Sequence, residues 1–148
     1  MQASRSKIVA TVDNLPRDRA SARLWPVPPT PGRFSVRQEG DRTYVAPDNF
    51  QRYSPFVDVA TSVDTAKLVA LYVRFYPLLQ QAYEDLGFPG KYFNDRVIGV
   101  LDHLLATPDP GDTIELVLPP QDPSVVVERP WVLYRFADPA LQSLSAGQ

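Results

Sequence analysis

The sequence predicts an α+β protein that is mainly α, with a central antiparallel helix hairpin and a small antiparallel β component. Two observations carry that reading. Between Asp64 and Ala106, two stretches with apolar residues at helical spacing are separated by a short Gly- and Pro-containing turn. On either side lie short β-branched or aromatic runs bounded by Gly and Pro. Sixteen prolines are spread along the 148 residues and cut the chain into short elements.

The first central helix has a start, a face and a stop. Asp64 can accept from the unpaired amides of a first turn. Leu68, Tyr72, Phe75, Leu79, Ala82 and Leu86 follow at spacings of three and four and make an apolar seam. Leu71, Tyr76, Leu78 and Tyr83 widen it, so the helix is expected to be covered on more than one side, with Phe75 in the core. Pro77 falls on the narrow polar strip and is expected to bend the helix convex toward solvent. Gly87 is placed for a left-handed stop, with Phe88 supplying the apolar contact that accompanies it. In the second helix Asn94 is the expected N-cap. Val97, Ile98, Val100, Leu101, Leu104 and Leu105 are the expected buried face, and Thr107-Pro108 the end.

Elsewhere the elements are shorter. Residues 8–16, IVATVDNLP, read as the last turns of a helix ending before Pro16. Residues 17–23 read as a basic loop and Trp25–Gly32 as an extended polyproline-like segment. Arg23, Pro26 and Pro29 match a pattern bound by aromatic-groove domains, but seven residues form a weak pattern and the preferred reading is a stiff arm docking Trp25 on the core. The domain reading is one domain over 1–148, with 1–32 as an arm and 33–148 as the globular body. Alternation on both sides of Glu39-Gly40-Asp41 predicts a β-hairpin. Asp48 and Ser54 each open a short helical turn as capping residues. Ile114–Leu118, Val125–Arg129 and Trp131–Phe136 read as strands, and Asp138-Pro139 opens a final helix.

Composition bounds the function. Without cysteine there is no disulfide and no thiolate metal site. The net charge of −2 has no basic excess pointing to nucleic acid. Residues 1–42 hold eight Arg or Lys against four acids, and residues 43–148 hold seven against thirteen. The two parts therefore attract; a membrane-facing basic arm is the alternative use of the same charge. No run of about eighteen apolar residues and no signal pattern occurs, so the chain as written reads as soluble.

Catalytic patterns are not visible in the spacing. His103 adjoins Asp102, but consecutive helical residues point about 100° apart. Asp95 and Asp102 lie about 10.5 Å apart along a helix axis, too far to share one bond or one metal. The sequence therefore predicts no catalytic residue, no metal site and no cofactor. One surface stands out. The turn from Gly87 to Arg96 packs two glycines, three aromatics and three charges into ten positions. Caps and core plugs account for Gly87, Phe88, Phe93 and Asn94, but not for Lys91, Tyr92, Asp95 and Arg96. Lys91, Tyr92, Asn94, Asp95 and Arg96 are the candidate binding residues, placed to hold a carboxylate or a partner's polar group.

VATVDNLP, WPVPPTPGRF, YPLLQQAYEDLGFPGKYFNDRVIGVLDHLLATP and FADPALQSLSAGQ together resemble a bacterial domain-of-unknown-function family. The resemblance implies a periplasmic or envelope protein, carried in relatives by an N-terminal membrane anchor and continued past this chain by a basic helix. It implies no activity and no catalytic residues. The expected function is a non-catalytic interaction module of the envelope with a protein partner. The alternative is a small-molecule or peptide-binding domain that uses the turn between the two central helices.

Overall fold

The computed structural model describes residues 2–21, 23, 30–120 and 133–148. The described helices are α1 (Gln2–Asn14), α2 (Asp48–Gln51), α3 (Ser54–Ser62), α4 (Thr65–Asp85), α5 (Phe93–Leu105) and α6 (Pro139–Gln142). The described strands are β1 (Val36–Glu39), β2 (Arg42–Val45), β3 (Glu115–Val117) and β4 (Arg135–Phe136). The protein is thus α+β and mainly α. The chain forms two compact units, one from Met1–Pro29, Val59–Thr107 and Leu144–Gln148, the other from Thr30–Asp58 and Pro108–Ser143.

The first unit is helical. Asp64 caps α4, its carboxylate accepting from the Lys67 amide at 3.0 Å. Pro77 lies inside the continuous helix on an exposed position. The stop is as expected: Gly87 has φ +101°, a left-handed value that favours glycine, and its amide bonds to the Glu84 carbonyl at 3.0 Å. Phe88 stacks on Tyr83 with ring centroids 4.6 Å apart, the contact that commonly locks this kind of helix end.

The core differs from the expected seam. Val9 of α1, Ala82 and Tyr83 of α4 and Phe93 of α5 are buried together, with Val12, Tyr72, Tyr76, Leu79, Phe88 and Val97 packed against them. Of the α4 seam, Tyr72, Leu79 and Ala82 are covered and Leu68, Phe75 and Leu86 are not. Leu68 and Phe75 remain 53 % and 44 % exposed, so Phe75 is not the core residue its mid-seam place predicts. Periodicity identifies the apolar stripe, but what covers it is decided by α1, which packs against α4 and α5. In α5 Phe93 and Val100 are buried and Val97 and Leu104 half-buried, while Ile98, Leu101 and Leu105 face solvent.

Asn94 is not the N-cap of α5. The helix starts one residue earlier, at Phe93, with Tyr92 in the cap position and no side-chain bond from it. The capping is done from α4: Gln80 accepts from the Phe93 amide through Oε1 at 2.8 Å and donates through Nε2 to the Lys91 carbonyl at 2.8 Å. Asn94 is left free to accept from the Tyr72 hydroxyl at 3.3 Å. The tail from Leu144 onward closes this unit. The Ala146 and Gly147 amides bond to the Arg17 and Leu15 carbonyls at 2.8 Å each, and Ser145 Oγ lies 2.8 Å from His103 Nε2.

The second unit is built on an antiparallel sheet of order β1-β2-β3-β4. Val36 pairs with Val45 and Glu39 with Arg42, leaving the two-residue loop Gly40-Asp41. Gly40 has φ +58° at the first loop position, where a tight hairpin turn of this kind needs it. Asn49 is buried and ties α2 to the strand entry: Ser35 N–H donates to Oδ1 at 3.0 Å, and Nδ2 donates to the Ala46 carbonyl at 2.8 Å. Asp48 is the first helical residue rather than the cap, which is Pro47. Asp138 caps α6 by accepting from the Ala140 amide at 2.8 Å, with Pro139 opening the helix. The strand expected at Val125–Arg129, residues 131–132 of the last strand and most of the polyproline segment lie outside the described residues. Among the described residues no helix is long and apolar enough to cross a membrane.

Candidate functional site

The turn between α4 and α5 opens onto a cavity of about 610 Å³ in the first unit. Its walls come from the end of α1 (Asp13), the segment just after it (Arg17), the last turn of α4 (Tyr83), the turn itself (Phe88, Gly90, Lys91, Tyr92) and the first turn of α5 (Asp95, Arg96). Of the candidate residues, Lys91, Tyr92, Asp95 and Arg96 come together on this surface. Asn94 does not, because the helical turn points it at Tyr72.

The cavity is held by an ion triad that the sequence does not announce. Asp13 is buried, its side chain 7 % exposed, which is costly for a carboxylate unless it is paired. Arg96 Nε donates to Oδ1 at 2.9 Å and Arg17 Nη2 to Oδ2 at 2.7 Å, so both oxygens are used. Arg96 Nη2 also reaches the Asp13 backbone carbonyl at 2.6 Å, at the C-terminal end of α1 where a cation is favoured. Arg96 therefore has a structural duty, contrary to its reading as a surplus charge. It fastens α1 to α5.

Asp95 also has a local role, since an acid in the first turn of α5 complements the helix dipole. Lys91 and Tyr92 have none. The Lys91 ammonium stands 5.8 Å from the centre of the Phe88 ring and makes no ion pair among the described residues. Tyr92 is 68 % exposed. What fixes them is backbone: the Lys91 amide bonds to the Phe88 carbonyl at 3.3 Å, its carbonyl is held by Gln80, and Gly90 supplies a left-handed φ of +74°. Two exposed side chains thus project from a turn clamped at several backbone points.

The electrostatics agree with a partly dry floor. Burial pushes the Tyr83 hydroxyl above its ordinary pKa, the nearby Asp13 carboxylate adds to this, and the Arg96 guanidinium opposes it. Sequence reasoning missed Asp13, Arg17 and Gln80. Asp13 and Arg17 stand at helical spacing, but nothing in a single sequence shows that α1 ends beside a turn some eighty residues later. Among the described residues no group of three or more His, Asp or Glu side chains converges as a metal site would require.

No curated protein and no solved structure matches the chain. Residues 5–148 match the family described as Protein of unknown function (DUF3014). The match takes in every wall of the cavity, from Asp13 to Arg96, and the chain belongs to the DUF3014 family.

Proposed function

We propose that this protein is a non-catalytic interaction module of the bacterial cell envelope and that it engages a protein partner through the cavity at the α4–α5 turn. The observation that carries the reading is the pairing of rigid backbone with unused side chains. Lys91 and Tyr92 are exposed, serve no contact the fold needs, and sit on a turn clamped by Gln80. Rigid presentation of an aromatic and a cation lowers the entropy lost on binding. The envelope assignment rests on the family resemblance. A protein partner is favoured by the exposed aromatic ring of Tyr92, a residue type enriched at protein interfaces, beside the Lys91 ammonium. The cavity's size alone also fits a small ligand.

The test uses Lys91→Ala combined with Tyr92→Ala, leaving Arg96 intact because it holds α1. Exposed residues of this kind change stability by about ±0.5 kcal/mol or less, so the melting curve is expected to stay in place. Recovery of partners from envelope extracts by the tagged full chain is expected to be lost. Recovery of the same partners by wild type and variant rules the cavity out as the interaction surface.

A further inference from the structure

The charges around the cavity specify what it holds. Its walls carry three cations, Arg17, Lys91 and Arg96, and two carboxylates, Asp13 and Asp95. Each Asp13 carboxylate oxygen accepts from one arginine, and Arg96 is held in place by two bonds to that one residue. Arg17 gives only Nη2 to the pair and its side chain is 56 % exposed, so the rest of its guanidinium fork faces solvent. Lys91 has no anionic partner among the described residues. The available capacity is therefore cationic, on a chain whose net charge is −2. Beside it lies the stacked Tyr83–Phe88 pair, and the lining as a whole is mixed polar and apolar.

We propose that the cavity binds an acidic peptide segment of the partner, a side-chain carboxylate being held by Lys91 and Arg17 while the adjoining apolar side chain packs on Phe88 and Tyr92. This rests on the reading of the cavity as the partner surface and adds the chemistry of the ligand. A carboxylate matches the fork of a guanidinium and the point charge of an ammonium together. The aromatic lining favours a peptide with an apolar neighbour to its carboxylate over an anionic membrane surface. Asp95 limits the site to one charge, because a second carboxylate nearby meets repulsion.

The full chain is titrated with the blocked peptide acetyl-Gly-Phe-Glu-Phe-Gly-amide, with its Gln counterpart, and with phosphatidylglycerol vesicles, followed by amide NMR and calorimetry. The Glu peptide is expected to perturb residues 87–96 and Arg17 and to bind about tenfold more tightly than the Gln peptide. Lys91→Gln is expected to remove that preference, Lys91→Arg to keep it, and Asp95→Asn to increase affinity for the Glu peptide. Equal binding of the two peptides, binding of neither, or a preference that survives Lys91→Gln overturns the proposal. Lys91-dependent binding to vesicles without peptide binding overturns it in favour of a membrane site. If partner recovery requires Lys91 and Tyr92 but no carboxylate preference is found, the ligand chemistry fails and the interaction module stands. If recovery does not require them, that reading fails as well.

Discussion

Phe93 and Phe75 show how little a residue's type says about its energetic weight. Both belong to apolar helical patterns, yet Phe93 is 1 % exposed and Phe75 is 44 % exposed. Truncating a fully buried phenylalanine removes transfer energy and leaves a cavity, at about 3–5 kcal/mol. Phe93→Ala is expected to fall in that range, and Phe75→Ala to cost less than half as much. Paired urea denaturation curves check this; equal losses would mean that Phe75 is covered as fully as Phe93. The same contrast holds among charges. Arg96 looks like Lys91 in the sequence, one turn residue among several, but two bonds to Asp13, one to its buried carboxylate and one to its backbone carbonyl, make it structural.

At the level of elements, the start of α5 depends on a side chain from α4. Local capping would require Ser, Thr, Asp or Asn in the cap position, and Tyr92 stands there instead. Gln80 supplies the missing acceptor and, with its amide nitrogen, holds the Lys91 carbonyl. Gln80→Leu leaves the Phe93 amide and the exposed Lys91 carbonyl without that partner, and loss of such bonds, which water can partly replace, costs about 0.5–1.5 kcal/mol each. The expected outcome is a lower denaturation midpoint together with faster hydrogen exchange at the Phe93 amide. Unchanged exchange at Phe93 would show that the cap is not used in solution. Because the same residue clamps the turn, this variant is also expected to weaken binding at Lys91 and Tyr92.

Across the molecule, the helical unit carries a built-in sensitivity to alkali. Burial raises the pKa of both Tyr72 and Tyr83, with Tyr76 adding at the first and Asp13 at the second. The folded state therefore holds these phenolic protons more tightly than the unfolded state does. Their contribution is complete below the unfolded tyrosine pKa of about 10 and is lost as pH rises through the higher folded values. Stability is expected to be flat in this respect through neutral pH and to fall above about pH 10. Tyr83→Phe removes one of the two groups and is expected to flatten that fall, measured by urea midpoints on either side of the transition. A variant that loses stability with pH as steeply as wild type does would exclude Tyr83 from the effect.

The sequence by itself determined the mainly α, α+β class, the two central helices with the Asp64 cap and Gly87 stop, the hairpin at Gly40, the Asp138-Pro139 helix start and the turn that forms the cavity wall. Each of these rests on residues within a few positions of one another, where backbone preference and capping act directly. Tertiary structure alone decided which residues of the α4 seam are buried, that Gln80 rather than Asn94 caps α5, and that Asp13 binds Arg96 across a separation of 83 residues. It also decided which charges of the turn remain available. A side chain's partner across the fold depends on how helices pack, and neither spacing nor propensity contains that distance.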